Sequence, residues 1–230
     1  GQDQAQTAAL ALEGIRLDAV ASSALARAKE TADIVYAHFT ANNSYKPLRI
    51  VDAGFNEMRF GKFEGLSKED TKRDEALKQY FLAEKKKVWE DPSYCFPSKE
   101  IGEAIHPDDE VYRLDDANSG RGESTNIVED RTMRALSDAI QQVLDKTQDS
   151  TATKHVAIVS HGRTNKVLIG GMLGQGSGKS IGQSNANISV LDHPGWDTTT
   201  KAVNAKGGWT ARLLNYAEHI KEIETKIERP

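Results

Sequence analysis

Along the chain, short apolar runs alternate with amphipathic stretches. Ala5, Ala8, Ala9 and Leu12 recur at helical spacing and predict a helix over Gly1 to Glu13, closed by Gly14. Leu17 to Ala21 predicts a short buried strand, after which Ser23 caps a helix with Leu25, Ala28, Ala32 and Val35 on its buried face. Leu48 to Asp52 predicts a second strand. The glycines and aromatics of Gly54 to Leu66 suit a structured loop, too irregular for helix or strand. Ser67-x-x-Asp70 resembles a capping box opening a helix to about Val88, with Leu77, Phe81 and Val88 on one face and Glu84 to Lys87 on the solvated side. Ser124 caps a helix to about Asp145, whose Ile127, Leu136, Ile140, Val143 and Leu144 face a sheet. Val156 to Val159 is continuously apolar, as expected of an inner strand of a parallel sheet. It stops at Ser160-His161-Gly162, before a helix over Thr164 to Leu173. Ile188 to Asp192 and Thr210 to Asn215 predict a hairpin-like pair on the sheet edge, and Ala217 to Glu228 a surface helix or tail. This order fits one α/β domain over residues 1–230. Residues 89–121 read as a long insertion, a lid over the sheet's carboxyl edge, whose Trp89, Tyr94 and Phe96 either close over a substrate or form a satellite core.

Composition narrows the class. A chain of 230 residues with 38% hydrophobic content can bury a full core. A net charge of -4 argues against nucleic-acid binding, so a phosphate site must be a local cluster of cations in an acidic protein. The single cysteine, Cys95, permits no intrachain disulfide and points to a reducing, cytoplasmic setting. No apolar run approaches the roughly 20 residues that span a bilayer, so no membrane partner is expected, and no signal-peptide pattern opens the chain. Gly174 to Ser180 invites a phosphate-loop reading, but its first glycine is misplaced and it follows a helix rather than a strand.

Three residues carry candidate chemistry. His161 sits beyond the carboxyl end of a strand and beside a helix N-terminus, where open α/β sheets bind ligands and where anions are favoured. Arg27 lies at the positive end of its helix, where a cation gains nothing from the dipole; it is either a solvated surface arginine or held there to meet an anion. Glu57, on a structured loop after a strand, is placed either as a surface carboxylate or as a general acid.

These signals fall in one order: Ser22-Ser23-Ala24-Leu25-Ala26-Arg27, then Asn56-Glu57 through Phe60-Gly61 and Glu64-Gly65, then Gly122-Glu123-Ser124, then Ser160-His161-Gly162. The chain thereby resembles the histidine phosphatase superfamily, the phosphoglycerate-mutase-like proteins, over nearly its whole length apart from the insertion. The resemblance implies a three-layer α/β/α fold with a mostly parallel central sheet, and phosphoryl transfer through a phosphohistidine without a metal or other cofactor. It implies catalytic roles for Arg27, Glu57 and His161: Arg27 and His161 hold the phosphoryl oxygens, while Glu57 protonates the leaving oxygen and then activates water. It places Ser23, Lys68, Glu123, Gly162, Arg163 and Asn187 around the substrate, a small phosphorylated molecule. A homo-oligomer is compatible with it. The segment after Lys68 lacks the Trp-Arg-Arg type of sequence associated with the mutases, which favours a phosphomonoesterase over a phosphoglycerate mutase.

The family's nucleophile is a histidine in an Arg-His-Gly motif on the first strand, and no Arg-His-Gly occurs in these 230 residues. That strand lies in the family between the Ser-His-Gly strand and an antiparallel one. Three expectations follow. The strand belongs to a preceding segment of the protein; or it is replaced by a swapped strand or another subunit, in an inactive homologue that acts as a binding module; or the sheet closes differently.

Overall fold

The computed structural model describes residues 1–42, 45–98, 120–146, 152–195 and 208–221. They fall into two compact units, one of residues 1–57 with 130–230 and one of residues 58–129. The elements in chain order are α1 (Gln2–Ala11), β1 (Ala19–Ser22), α2 (Ala26–Asn42), β2 (Leu48–Val51), α3 (Lys68–Arg73), α4 (Glu75–Glu90), α5 (Thr125–Lys146), β3 (Val156–Val159), α6 (Gly162–Met172), β4 (Ile188–Asp192) and β5 (Thr210–Tyr216). Among the described residues no helix is long and apolar enough to cross a membrane.

The first unit is built on a parallel sheet in the order β2-β1-β3, with Ala19 opposite both Leu48 and Val156. Alternate residues feed opposite faces, as the pleat requires. Ala19, Ala21 and Ile50 pack with Ala135, Leu136, Ala139 and Val143 of α5 and Leu168 and Met172 of α6. Val20 packs on the other side with Ala9 of α1 and Ala32, Val35 and Phe39 of α2. The result is helix, sheet, helix in three layers. The small residues Ala19 and Ala21 let the helices approach the central strand closely, and all four β1 residues are buried.

Two expectations about the sheet are corrected. The inner strand is β1, and β3 is half-buried along its length. Its unbroken apolar run has a different cause: Val156 and Ile158 pack on one core cluster and Ala157 and Val159 on the other, so both faces are covered while one edge is open. The second correction is that β4 and β5 pair antiparallel in a separate two-stranded sheet rather than on the edge of the first. Among the described residues β3 and β4 do not pair with each other; the resemblance locates the family's first strand between a Ser-His-Gly strand and an antiparallel one.

In the second unit the capping box forms as expected, Ser67 and Asp70 each bonding to the other's backbone N–H. The helix does not run on to Val88, because Asp74 adopts an extended conformation and its carboxylate accepts the N–H of Leu77, starting α4 as a new helix. Phe96 is buried, and its ring lies 5.5 Å from that of Phe60 and 6.3 Å from that of Phe81, so this aromatic belongs to a satellite core. Glu84 is not on a solvated face: it is 4% exposed and bonds to Lys87 and to the hydroxyl of Tyr94. Ile127 is 42% exposed. It stands nine residues before Leu136, two and a half helical turns, and so lies on the opposite side of α5. The insertion's residues 99–119 and the tail beyond 221 lie outside the described residues.

Candidate active site

The first unit gathers two helix starts and one loop at the carboxyl end of its sheet. β1 ends at Ser22, so Ser23 turns the chain into α2 and places Arg27 in that helix's first turn. β3 ends at Val159, and His161, extended, is the N-cap of α6. Between them runs the loop after β2. Asp52 accepts the N–H of Gly54 at 2.7 Å and closes a single 3-10 turn over Ala53 to Phe55, a short helical element where the sequence predicts only loop.

That loop is held from three sides. Phe55 is fully buried in the core, and Ser160 donates its hydroxyl to the Phe55 carbonyl at 2.7 Å. Arg131 of α5 donates to the carbonyls of Gly54 at 2.6 Å, Asn56 at 2.9 Å and Glu57 at 3.3 Å. The helix comes so near that a Cβ on Gly54 would stand 2.6 Å from that of Ala135, which is why a glycine occupies the turn. Burying Phe55 is worth about 1.5–3 kcal/mol. The backbone of Glu57 is therefore fixed before any ligand arrives.

The carboxylate of Glu57 is aimed by Thr164, which is fully buried. The amide N–H of Thr164 donates to Glu57 Oε1 at 3.2 Å; its hydroxyl lies 3.1 Å from that oxygen and 2.9 Å from the Asn56 carbonyl, with one hydrogen to share between them. This amide is in the first turn of α6, where N–H groups have no intrahelical partner and the helix end attracts negative charge.

His161 is 6% exposed. Its Nδ1 accepts the Nε–H of Arg27 at 3.2 Å, and its Nε2 lies 2.8 Å from Ser23 Oγ. Ser23 in turn donates to Asn56 Oδ1 at 2.9 Å, and the same oxygen accepts the N–H of Ala24 at 2.9 Å. Burial holds the imidazole below its ordinary value; Glu57 pulls it upward, while Arg27 and Arg131 reinforce burial. Burial also pushes the Arg163 guanidinium down, with Glu57 opposing. Three arginines and one carboxylate thus influence this part of the unit: Arg27, Arg131 and Glu57 act on His161, and Glu57 acts on Arg163.

The structure brings together Ser23, Arg27, Glu57 and His161, with Gly162 and Arg163 opening α6 beside them. Asn187 bonds within its own loop, to Gln183 Oε1 at 3.3 Å and the Ser184 carbonyl at 2.6 Å. Glu123 belongs to the second unit, is 2% exposed, and accepts the backbone N–H of Arg59 at 2.9 Å. Lys68 opens α3 in the same unit. Thr164 and Arg131 are the contributors the sequence reading missed. The first stands three residues after His161, in the turn where N–H groups lack partners, and that position was a usable signal. Among the described residues no group of three or more His, Cys, Asp or Glu side chains is spaced to hold a metal ion.

The sequence model of the histidine phosphatase superfamily (branch 1) matches residues 1–100 and 96–206. No curated protein sequence matches the chain. Solved structures do. A mycobacterial glucosyl-3-phosphoglycerate phosphatase complexed with VO3 aligns with TM-score 0.63 and 20% identity over 94% of this chain and 85% of that one. Bacillus stearothermophilus YhfR aligns with TM-score 0.60 and 20% identity over 96% and 85%. A protein described as mycobacterial hydrolase 1 aligns with TM-score 0.64 and 20% identity over 94% and 85%. At these identities the likeness is one of fold.

Proposed function

This chain belongs to the histidine phosphatase superfamily (branch 1), and from that membership together with the Arg27, Glu57 and His161 constellation we propose that it is a phosphomonoesterase acting on a small phosphorylated molecule. The observation that carries the proposal is the Arg27 to His161 contact at 3.2 Å, with the Glu57 carboxylate fixed by Thr164 beside it. Arg27 is solvent-exposed, and its guanidinium reaches an incoming phosphoryl group by giving up that contact. His161 stabilises the charge on the same oxygens. Glu57 protonates the leaving oxygen and in a second step removes a proton from water.

The covalent intermediate in this reading is a phosphohistidine. Its nucleophile lies on an Arg-His-Gly strand outside these 230 residues. Two strands support a place for it: β3 pairs only with β1 and β4 only with β5 among the described residues, so each offers an open edge. Filling that gap would satisfy backbone groups on both sides. The substrate class, a small phosphate monoester, is supported by the family and by a glucosyl-3-phosphoglycerate phosphatase among the neighbours.

A second reading rests on the lack of Arg-His-Gly in the 230 residues: an inactive homologue that binds phosphorylated ligands. Incubating the full-length protein with a labelled phosphate monoester separates the two. The phosphatase reading expects released phosphate and an acid-labile phosphohistidine; ligand binding with neither product leaves the binding module.

A further inference from the structure

The hydrogen bonds around His161 have only one consistent polarity. Asn56 Oδ1 receives the fixed backbone N–H of Ala24, so this end of the side-chain amide is the acceptor. The hydroxyl of Ser23 has one hydrogen, and it goes to that oxygen at 2.9 Å. Ser23 Oγ also accepts the N–H of Leu25 at 3.0 Å, and its remaining lone pair faces His161 Nε2 at 2.8 Å. With no hydrogen left to give, Ser23 must receive one, so Nε2 carries the imidazole proton. Nδ1 then holds a lone pair, which is what the Nε–H of Arg27 requires.

This wiring excludes the other neutral tautomer. Nδ1 can donate to an oxyanion only if the ring gains a second proton, because the proton on Nε2 is committed to the Ser23 and Asn56 chain. Of the partners of His161, Arg27 is the one that solvent reaches. An oxyanion that draws Arg27 away would otherwise meet a bare lone pair on Nδ1.

We propose that a tetrahedral dianion binds at Arg27 and His161 together with one proton from solvent: the Nε–H of Arg27 moves from Nδ1 to an oxyanion, and Nδ1, newly protonated, becomes a second donor to the same anion. The one bond formed is Nδ1–H, its proton given up by hydronium or buffer acid in the solvent; no other covalent bond changes. The charged groups acting on the ring are Arg27 from α2, Glu57 from the loop after β2 and Arg131 from α5. In the free site burial and the two arginines hold the ring neutral. The dianion adds negative charge beside Glu57 and takes up the charge of Arg27, which tips the balance towards the imidazolium. The inference rests on the reading of this cluster as a phosphoryl site.

Sulfate is the probe, because it is fully ionised at neutral pH and any proton taken up belongs to the protein. Calorimetric titration of the full-length protein at pH 7, in two buffers of different ionisation enthalpy, is expected to show about one proton taken up per sulfate, and none in His161→Gln. The Nδ1 resonance of His161 in a 15N-histidine spectrum should be of the unprotonated type in the free protein and of the protonated type with sulfate, a readout that needs no variant. Sulfate binding without proton uptake, uptake that persists in His161→Gln, or a protonated Nδ1 in the free protein would each overturn the proposal while leaving the anion site standing. Failure of sulfate and of inorganic phosphate to bind would overturn the proposal and the phosphoryl reading together.

Discussion

Two buried titratable side chains, Glu84 in the second unit and His161 in the first, are surrounded by similar groups and do different work. Glu84 bonds to Lys87 at 2.6 Å and to the hydroxyl of Tyr94, partners that lie three and ten residues away in the chain. Burial pushes its carboxyl up, but the hydrogen bonds from Lys87 and Tyr94 outweigh burial and leave it below its ordinary value. The cluster is local and satisfies itself. His161 depends on Ser23 and Arg27 and feels Glu57 and Arg131, all from distant parts of the chain, and its Nδ1 partner is an exposed arginine. A buried charge neutralised by near neighbours stabilises the fold. A buried base whose partner can leave is available to a ligand.

The strongest way to break this contrast is Arg27→Ala. In the full-length protein it is expected to lower phosphatase turnover by about 10²–10³, the usual loss for one donor to a developing oxyanion, without lowering the melting temperature. Turnover equal to that of the unmodified protein would remove Arg27 from the mechanism. Next comes Thr164→Val, which deletes the hydroxyl shared between Glu57 and the Asn56 carbonyl; the carbonyl keeps its bond from Arg131, and Glu57 keeps the Thr164 amide. Hydrolysis of alkyl phosphates should slow about tenfold, as for the loss of one hydrogen bond to a charged group. p-Nitrophenyl phosphate, whose leaving group needs no proton, should slow much less, and Thr164→Ser should restore both; equal slowing of the two esters would show that Thr164 does not act through a general acid.

Tyr94→Phe sharpens the other side. It should cost about 1 kcal/mol of stability, visible as a melting point lower by about 2–4 °C, with turnover unchanged. A turnover loss larger than the stability loss would blur the distinction between the clusters. The smallest effect is on pH dependence. The folded value of His161 lies below its ordinary 6.5, so as pH falls through that point the unfolded chain gains a proton the native state lacks, and stability declines. Glu84, held below its ordinary 4.5, contributes stability that is complete above that pH and is lost on further acidification. Urea midpoints across pH should therefore fall in two stages, with His161→Gln flattening the first and Glu84→Gln the second; one stage that survives both variants would contradict the assignment.

How far the sequence could be read depended on how local each feature was. The Ser67 capping box involves neighbours in the chain and was legible as written; Gly14 does take a positive φ, but the helix ends before it, at Ala11 with Leu12 as its cap. The break at Asp74 was not, because a carboxylate seven residues past the Ser67 cap competes with helix continuation and the apolar spacing alone does not record the outcome. Glu84 was misread for a similar reason: a run of charges looks solvated until Tyr94 folds back on it. The continuous apolar run of β3 is equally consistent with a central strand and with an edge strand packed on both faces, since periodicity reports faces and is blind to edges.

By itself the sequence determined the alternation of strands and helices, the three-layer class, and the order of motifs in which Arg27, Glu57 and His161 stand, because apolar spacing, cap residues and a family's ordered motifs are properties of the chain read in one dimension. Tertiary structure decided which strand is central, which strands pair, and how Arg131, Thr164, Ser23 and Asn56 fix Glu57 and His161. Those four act through hydrogen bonds between residues up to 138 positions apart. Their direction depends on which donor has a hydrogen left to give, and only the folded chain settles that.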